Sequence, residues 1–411
     1  MRVMVVNPGS ATLKLALVDM SAAETAENSE TVGADAIDEV ASVAARWQPL
    51  DAVGVRYVHG GPKHLEPVLL DDDVLAELDE VADLAPLHNP MASAAARALR
   101  QALRDVPVVA CFDTTFHATM PPEAYTYALP REWNERWALR RYGFHGLSHE
   151  HAARAGAAAA GRSVEGTRIV TCHLGGGASL AAVVDGRSVD TTMGMTPLAG
   201  LVMQRRSGSI DPGMVLWLQQ HGGLTAEEVR DGLEHHSGLA GLTGTSGDFR
   251  EVLEGARLTD PESGEPEPSR EDLPRVGGNG PESGEAEPSR EDLGRVGGSG
   301  AESEEAAFVR DCRLALDIYL HRLVREIGAM AASAGGLDVL VFTGGVGENV
   351  EFVRATTTTR LAHLQPFDTV VVEAREDLAI AEATRRLVTS DADSSRTGAT
   401  RHTYVTSRLH T

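Results

Sequence analysis

Hydrophobic positions along the chain alternate between short apolar runs and longer stretches with helical spacing. Several short runs are apolar at nearly every position, as expected of strands covered on both faces of a sheet. These predicted strands are Val3–Val6, Leu15–Val18, Val106–Cys111, Arg168–His173, Ala181–Val184, Val339–Phe342 and Thr369–Val372. The predicted helices are Met91–Leu103, His149–Ala160, Ala306–Ala332 and Leu378–Leu387. The alternation predicts an α/β protein with mixed sheets.

The length of the chain exceeds what one compact core accommodates. Its 411 residues are 42% hydrophobic and 24% charged, a balance typical of globular proteins. Aromatic residues make up only 4%, so the interior must be built mainly from Ala, Val and Leu. We therefore expect two domains, each with its own core.

A tandem repeat interrupts this pattern. Residues 261–280 and 281–300 are nearly identical, rich in Pro, Gly, Glu and Ser, and almost without apolar side chains. Such a segment cannot bury enough surface to offset the entropy of ordering it. We predict a disordered acidic insertion over residues 255–305, with a docking element as the alternative. A flexible tail is expected over residues 389–411.

The charge balance narrows the classes of partner. The net charge is −23, and 16 acidic residues and 5 arginines lie between Glu251 and Glu305. This acidity argues against nucleic acid or an anionic membrane as a partner, because both are polyanions. No stretch approaches the ~20 apolar residues of a membrane span, and the N-terminus lacks a signal-peptide pattern. The three cysteines are an odd, sparse set without metal spacing, which indicates a reducing compartment. We therefore expect a cytoplasmic protein.

Glycine-containing turns follow several predicted strands. In VVNPGSATLKLALVD, residues 5–19, a turn between two strands offers N–H groups and the hydroxyls of Ser10 and Thr12 to a phosphate. It is not a Walker loop, because the GxxxxGK[ST] string and the following helix are missing. An ordinary hairpin is the alternative. TCHLGGGAS, residues 171–179, and VFTGGVGEN, residues 341–349, repeat the strand-to-glycine pattern.

Charged and imidazole side chains lie beside these turns. Arg56 follows an apolar run and could grip a carboxylate, although a surface ion pair is the alternative. Asp113 ends a strand, where ligands bind in α/β sheets, unless it caps the next segment. His145 lies between glycines in RRYGFHGLSH, and Arg206 follows Arg205 in TTMGMTPLAGLVMQRRSGSIDPG, residues 191–213.

The motifs YGFHG, HLG-GAS, SGL-G, FTGG-GEN and D-T-FH-TMP resemble the acetate kinase family of the actin-like ATPase superfamily. The resemblance runs from Arg2 to about Leu387. It implies two ribonuclease-H-like domains with mixed sheets flanked by helices and an interdomain active-site cleft. Residues 1–114 plus 349–388 would form the acetate side, and residues 115–348 the nucleotide side. A homodimer is implied by analogy.

The reaction implied is reversible transfer of the ATP γ-phosphoryl group to acetate, direct and in line, with Mg²⁺ as the metal and Mn²⁺ as the alternative. The implied catalytic residues are Arg56, Asp113, His145 and Arg206. The acetate pocket would be Val58, Leu87, Phe144 and Pro197. Asn7 and Glu348 would position the metal. The implied nucleotide-binding residues are Ser10, Thr12, Lys14, His173, Gly175, Gly176, Gly177, Asp248, Phe249, Arg250, Gly344, Gly345 and Gly347. His88 matches a further family histidine.

The chain departs from the family pattern at three places. Gly176 replaces an asparagine that would donate to a phosphate, and Gln204 replaces a glycine, which would carry strain if its φ were positive. Arg205 adds a charge beside Arg206 and could turn it away. The stretch from Met20 to Asp51 is short, so a third strand could be missing or rebuilt. Two alternatives follow: a propionate or other short-chain acyl kinase, and a catalytically weakened nucleotide-binding paralogue.

Overall fold

The computed structural model describes residues 1–9, 12–21, 25–33, 37–86, 88–257 and 303–397. Most of the acidic insertion and most of the tail lie outside these ranges, as do Ser10 and Leu87. Two separate sheets, each flanked by helices, organise the described residues. This arrangement confirms the predicted α/β class with mixed sheets.

The first sheet has six strands in the order β3-β2-β1-β4-β6-β5. The strands are β1 (Arg2–Pro8), β2 (Thr12–Asp19), β3 (Thr25–Gly33), β4 (Ala52–Tyr57), β5 (Val68–Leu69) and β6 (Val108–Phe112). The first three form an antiparallel meander, and β4 and β6 then run parallel to β1. The third strand, which the short early region left in question, is present and pairs with β2 along its length.

Both faces of the first sheet are covered. Met4 and Val6 point into a core formed with α1 (Ile37–Arg46) and α3 (Asn89–Ala102). Val3 and Val5 point to the opposite face, which packs against α14 (Glu376–Thr397). Successive side chains of a strand alternate between faces, and β1 is apolar on both because both are buried.

The second sheet repeats the first topology in the order β11-β10-β7-β8-β9. Its strands are β7 (Arg168–Leu174), β8 (Ala178–Val184), β9 (Arg187–Thr191), β10 (Val339–Thr343) and β11 (Asp368–Val371). Again three antiparallel strands are followed by two that run parallel to the first. The helices α6 (Gly146–Ala159) and α11 (Glu304–Ser333) both contact this sheet.

The remaining helices connect or decorate the two sheets. They are α2 (Asp72–Glu80), α4 (Pro122–Tyr125), α5 (Arg131–Trp137), α7 (Pro212–Gln220), α8 (Ala226–His235), α9 (Gly238–Thr243), α10 (Phe249–Gly255), α12 (Gly344–Asn349) and α13 (Glu351–Arg360). Short 3₁₀ helices span Ala82–Leu84, Thr115–Thr119 and Ala362–Leu364. Among the described residues, no helix is long and apolar enough to cross a membrane.

One predicted boundary needs correction. Residues 349–388 are predicted to belong to the first unit, but β11 pairs in parallel with β10 of the second sheet and α13 packs on α11. Only α14 returns to contact β1 and β4. The physical reason is that β10, α13 and β11 form a parallel crossover unit, whose second strand pairs beside the first.

Candidate active site

Arg56, near the end of β4, is the centre of a half-buried charge cluster. Its Nε and Nη2 donate to the two carboxylate oxygens of Asp113 at 2.8 and 2.7 Å. Its Nη1 donates to Asn7 Oδ1 at 2.8 Å and to Glu376 Oε2 at 3.1 Å. The two-pronged contact with Asp113 fixes the plane of the guanidinium. The alternative of a surface ion pair is wrong, because the Arg56 side chain is only 13% exposed.

The ionisation of this cluster follows from burial and pairing. Burial would lower the pKa of Arg56, but the charges of Asp113 and Glu376 raise it above its ordinary value. Burial raises the pKa of Asp113, and Arg56 only partly offsets this. Burial would also raise the pKa of Glu376, yet Arg56 and His173 hold it below its ordinary value. Arg56 therefore stays cationic and Glu376 stays ionised near neutral pH.

Glu376 is the residue that sequence reasoning missed. Its Oε2 accepts from Asn7 Nδ2 at 2.8 Å, and the ammonium of Lys14, paired with Asn7 across β1 and β2, helps lower its pKa. Glu376 is the first residue of α14, shortly after β11. An acid that starts a helix soon after a strand was the available signal.

Glu348, the predicted metal residue, makes different contacts. Its Oε1 accepts from the N–H groups of Gly344 at 2.8 Å and Ala374 at 2.9 Å. Within the described ranges no group of three or more His, Cys, Asp or Glu is arranged to hold a metal. The oxygens of Asn7, Asp113 and Glu376 are the hard ligands that Mg²⁺ prefers. In this structure each of these three residues accepts a hydrogen bond from Arg56.

His145 lies beside the glycine turn that joins β7 to β8. It has a left-handed backbone, φ 56°, at the N-terminus of α6, and the N–H of Gly146 donates to the Asp113 carbonyl at 2.8 Å. A Cβ at Gly177 would be 3.4 Å from His145 Nε2 and 3.7 Å from Arg206 Nη1. The imidazole, one guanidinium and the turn therefore border one space.

Arg206 is partly buried, whereas its neighbour Arg205 is exposed. Its Nη1 donates to the Pro197 carbonyl at 3.2 Å. Burial lowers its pKa, and Glu234 partly offsets this. Burial, followed by the charges of Arg56 and Arg206, lowers the pKa of His88 to about 4. His88 therefore lies within electrostatic range of both arginines.

The residues predicted to form the acetate pocket lie in different surroundings. Val58 and Phe144 belong to one buried apolar cluster, and Phe144 is 1% exposed. Pro197 is tied to Arg206 through its carbonyl. Leu87 lies outside the described residues. Val58 and Phe144 thus share a core, and Pro197 contacts one of the two arginines.

The predicted phosphate turns differ in form. In the β7–β8 turn the N–H of Gly175 donates to the Gly177 carbonyl at 3.0 Å. His173, at the end of β7, stacks on His145 at 4.3 Å between ring centroids. In the β1–β2 turn the N–H of Gly9 donates to the Thr12 carbonyl at 2.7 Å, and Lys14 is exposed on β2.

The other predicted nucleotide residues are less uniform. Asp248 Oδ1 accepts from the N–H of Arg250 at 2.9 Å and caps α10, and both side chains are exposed. Phe249 is buried against Tyr319, 5.1 Å between centroids, so its ring belongs to the core. The predicted turn after β10 is helix α12. A Cβ at Gly344 would crowd the Leu174 carbonyl, whereas Gly345 has open space and Gly347 only ordinary contacts.

Two of the departures from the family pattern are neighbours in space. Gln204 Oε1 lies 3.0 Å from where a Cβ at Gly176 would be, and the N–H of Gln204 donates to the Gly176 carbonyl at 3.2 Å. Gln204 Nε2 donates to the Ser246 carbonyl at 3.3 Å. The φ of Gln204 is not positive, so the strain considered in the sequence analysis is absent at this residue.

Sequence comparison identifies the family. The profile of the acetokinase family matches residues 29–264 and 299–398. The chain belongs to the acetokinase family. Acetate kinases of Anoxybacillus flavithermus and Caldanaerobacter subterraneus are 39% and 41% identical over 75% and 76% of the chain. These alignments span 66% of each relative, just under two thirds of its length.

Solved structures of the family agree with this assignment. Acetate kinase of Porphyromonas gingivalis and a propionate kinase of Francisella tularensis each have a TM-score of 0.75 at 28% identity. Acetate kinase of Entamoeba histolytica has a TM-score of 0.72 at 26% identity. Each comparison covers 94% of this chain and 99% of the other. The acetokinase fold therefore extends over the described residues.

Proposed function

We propose that this member of the acetokinase family is an acetate kinase, which converts ATP and acetate reversibly into ADP and acetyl phosphate. The observation that carries the proposal is the shared space bordered by His145, Arg206 and the Gly175–Gly177 turn, with the Arg56 cluster nearby. The charges of both arginines act on His145, which lies close to each of them.

The charges fit the chemistry. An acetate oxygen forms a bond to the γ-phosphorus as the bond from that phosphorus to the β,γ-bridging oxygen breaks, and ADP leaves with the electron pair. Both reactants are anions, so positive charge must offset their repulsion. Arg56, held in one plane by Asp113, would grip the carboxylate, and Arg206 would stabilise charge on the transferring group.

Mg²⁺, when bound, supplies further positive charge to the phosphate oxygens. We propose Asn7 and Glu376 as the residues that hold it, directly or through water, with ATP as the co-substrate. We place Glu376 in this role rather than Glu348, because Glu376 contacts Asn7, the other proposed metal residue. Mn²⁺ is the expected substitute.

The choice of acid depends on the apolar pocket. Val58 and Phe144 leave no reason to expect a longer acid to be preferred, but one methylene is worth only ~1–3 kcal/mol in such a pocket. Propionate should therefore be a poorer substrate. A propionate kinase structure is as similar to this chain as an acetate kinase structure is, so activity with propionate should be measured beside activity with acetate.

A hydroxamate assay with Mg-ATP and acetate, propionate or butyrate tests the proposal. We expect acetyl phosphate at the highest kcat/KM, and a loss of activity in Arg206→Ala. ATP binding without product from any acid would instead establish the weakened paralogue. A higher kcat/KM for propionate would establish the short-chain acyl kinase.

We also propose a homodimer built on α7. In the described part of the chain no side chain of α7 is buried, and Met214, Leu216 and Trp217 are 42%, 58% and 56% exposed. An apolar patch of this kind marks an interface, and two copies would cover it symmetrically. Light scattering should show a dimer that Leu216→Asp dissociates, whereas Trp133→Asp on α5 serves as the matched exposed control. A wild-type monomer would contradict it.

A cytoplasmic location remains a prediction.

A further inference from the structure

Behind His145, three hydrogen bonds form a continuous buried chain. Ser179 Oγ lies 2.9 Å from His145 Nδ1 and 2.7 Å from His149 Nε2. His149 Nδ1 lies 2.7 Å from Thr171 Oγ1. Thr171, Ser179 and His149 are fully buried and come from β7, β8 and α6. We call Thr171, His149 and Ser179 the relay.

The imidazoles of His145 and His149 are both neutral near pH 7. Burial, followed by the charges of His173 and Arg56, holds the pKa of His145 well below its ordinary value. Burial, followed by His117 and His173, does the same to the pKa of His149. Each ring therefore carries one proton, on either Nδ1 or Nε2.

Among the described residues, the buried Ser179 hydroxyl bonds only to the two histidines, so its proton must go to one of them, and proton counting then leaves two ways to make all three bonds. In the first, His145 Nδ1–H donates to Ser179, Ser179 donates to His149 Nε2, and His149 Nδ1–H donates to Thr171. In the second, every bond is reversed: Thr171 donates to His149 Nδ1, His149 Nε2–H donates to Ser179, and Ser179 donates to His145 Nδ1. The first leaves a lone pair on His145 Nε2, and the second leaves an N–H there.

The surroundings of His145 Nε2 decide between them. This nitrogen lies against the Gly177 turn and beside Arg206. Among the described residues, none forms a hydrogen bond with it. A lone pair there would repel phosphoryl oxygens, whereas an N–H would donate to them. In the first arrangement the hydroxyl of Thr171 would donate to the Ala181 carbonyl at 3.4 Å, a distance at the weak limit of a hydrogen bond.

We propose that the relay holds His145 in the tautomer protonated at Nε2, so that a neutral imidazole donates a hydrogen bond to the transferring phosphoryl group. The inference rests on the proposed function. Thr171, His149 and Ser179 are positioning residues in it, since none of them touches the reacting atoms. The arrangement provides a donor without placing a second positive charge beside Arg206.

The tautomer can be read directly in the wild-type protein. A ¹⁵N-histidine NMR spectrum with MgADP at pH 7, with the His145 signals assigned by their loss in His145→Gln, should show a protonated Nε2 and an unprotonated Nδ1. A proton on Nδ1, or on both nitrogens, would overturn the proposal. This readout does not depend on turnover, so an enzyme that makes no acetyl phosphate would refute the proposed function alone.

Kinetics supply the second test. Ser179→Ala should lower kcat about 10-fold while the KM for ATP stays within about 2-fold, and Ser179→Cys should recover part of the loss. Ser188→Ala is the matched control, because Ser188 is also buried and bonded to a histidine, His117 Nδ1 at 2.8 Å, whose other nitrogen contacts the Phe144 carbonyl. Equal losses in both alanine variants would indicate packing and contradict the relay.

Discussion

The two sheets share one topology but carry different side chains at equivalent positions, charged in the first sheet and neutral in the second. Asn7 and His173 are each the penultimate residue of a first strand of seven residues. The register of the parallel neighbours puts Arg56 beside Asn7 in the first sheet and Thr343 beside His173 in the second. The first sheet thus ends in a charge cluster, and the second in neutral imidazoles, hydroxyls and glycines.

The difference teaches how one fold divides a reaction between two anions. Charged side chains from the first sheet suit a small carboxylate and a hydrated cation, which need strong and localised fields. Backbone N–H groups and neutral donors from the second sheet suit a polyphosphate, which offers many acceptors. Four predictions would break or sharpen this division.

Removing Arg56 should have the largest effect. Arg56→Ala leaves Asp113 and Glu376 without their shared cation, so we expect a loss of ~10²–10³ in kcat/KM. The unfolding free energy should fall by about 3–5 kcal/mol, because a buried ion pair is broken. Steady-state kinetics and urea unfolding measure both.

The second sheet provides the matched control for Arg56. Arg168 grips both oxygens of Asp338, at 2.8 and 2.6 Å, in the same two-pronged way, but its side chain is 42% exposed. Arg168→Ala should cost less than about 1 kcal/mol and leave turnover unchanged. Similar losses in the two variants would show that burial does not distinguish the halves.

Acid should destabilise the protein through its buried neutral histidines, such as His117 of the second half. Burial lowers the pKa of His117 to about 4, so the unfolded chain binds a proton more readily than the folded one between pH 6.5 and 4. The stabilisation is complete above pH 6.5 and is lost as pH falls, by on the order of 3 kcal/mol for this group. Urea unfolding between pH 8 and pH 4 measures it, and His117→Asn should flatten the slope. An unchanged slope would assign the acid sensitivity elsewhere.

Gln204 and Gly176 should behave as a coupled pair. Gly176→Asn should raise the KM for ATP about 3- to 10-fold, because the new Cβ would lie only 3.0 Å from Gln204 Oε1 and would crowd that side chain. Adding Gln204→Gly should reverse most of that increase. Additive effects in this double-mutant cycle would mean that the two departures from the family are independent.

Deleting residues 261–300 should have the smallest effect. The helices α10 and α11 on either side of the insertion pack on each other, so the two ends of the deleted segment are anchored. We expect kcat/KM within about 2-fold of the full chain. A large loss would show that the acidic repeat takes part in catalysis or binding.

Local patterns were enough for much of the fold and part of the site. Continuous apolar runs predicted the central strands, and glycine after a strand predicted the β7–β8 turn. Arg56, Asp113 and His145 were identifiable because each stands where a strand or turn presents a polar group in an apolar context. These features depend on near neighbours in the chain, which sequence periodicity records.

Long-range packing decided the rest. Glu376 reaches Asn7 only because α14 returns to cover the first sheet, a contact across 369 positions. Phe249 is a core residue because α10 packs on α11, and Gln204 fills space over Gly176 because two distant loops meet. The relay likewise joins side chains from three elements. Distances across the fold are set by how helices cover the sheets, and no local pattern in the sequence encodes them.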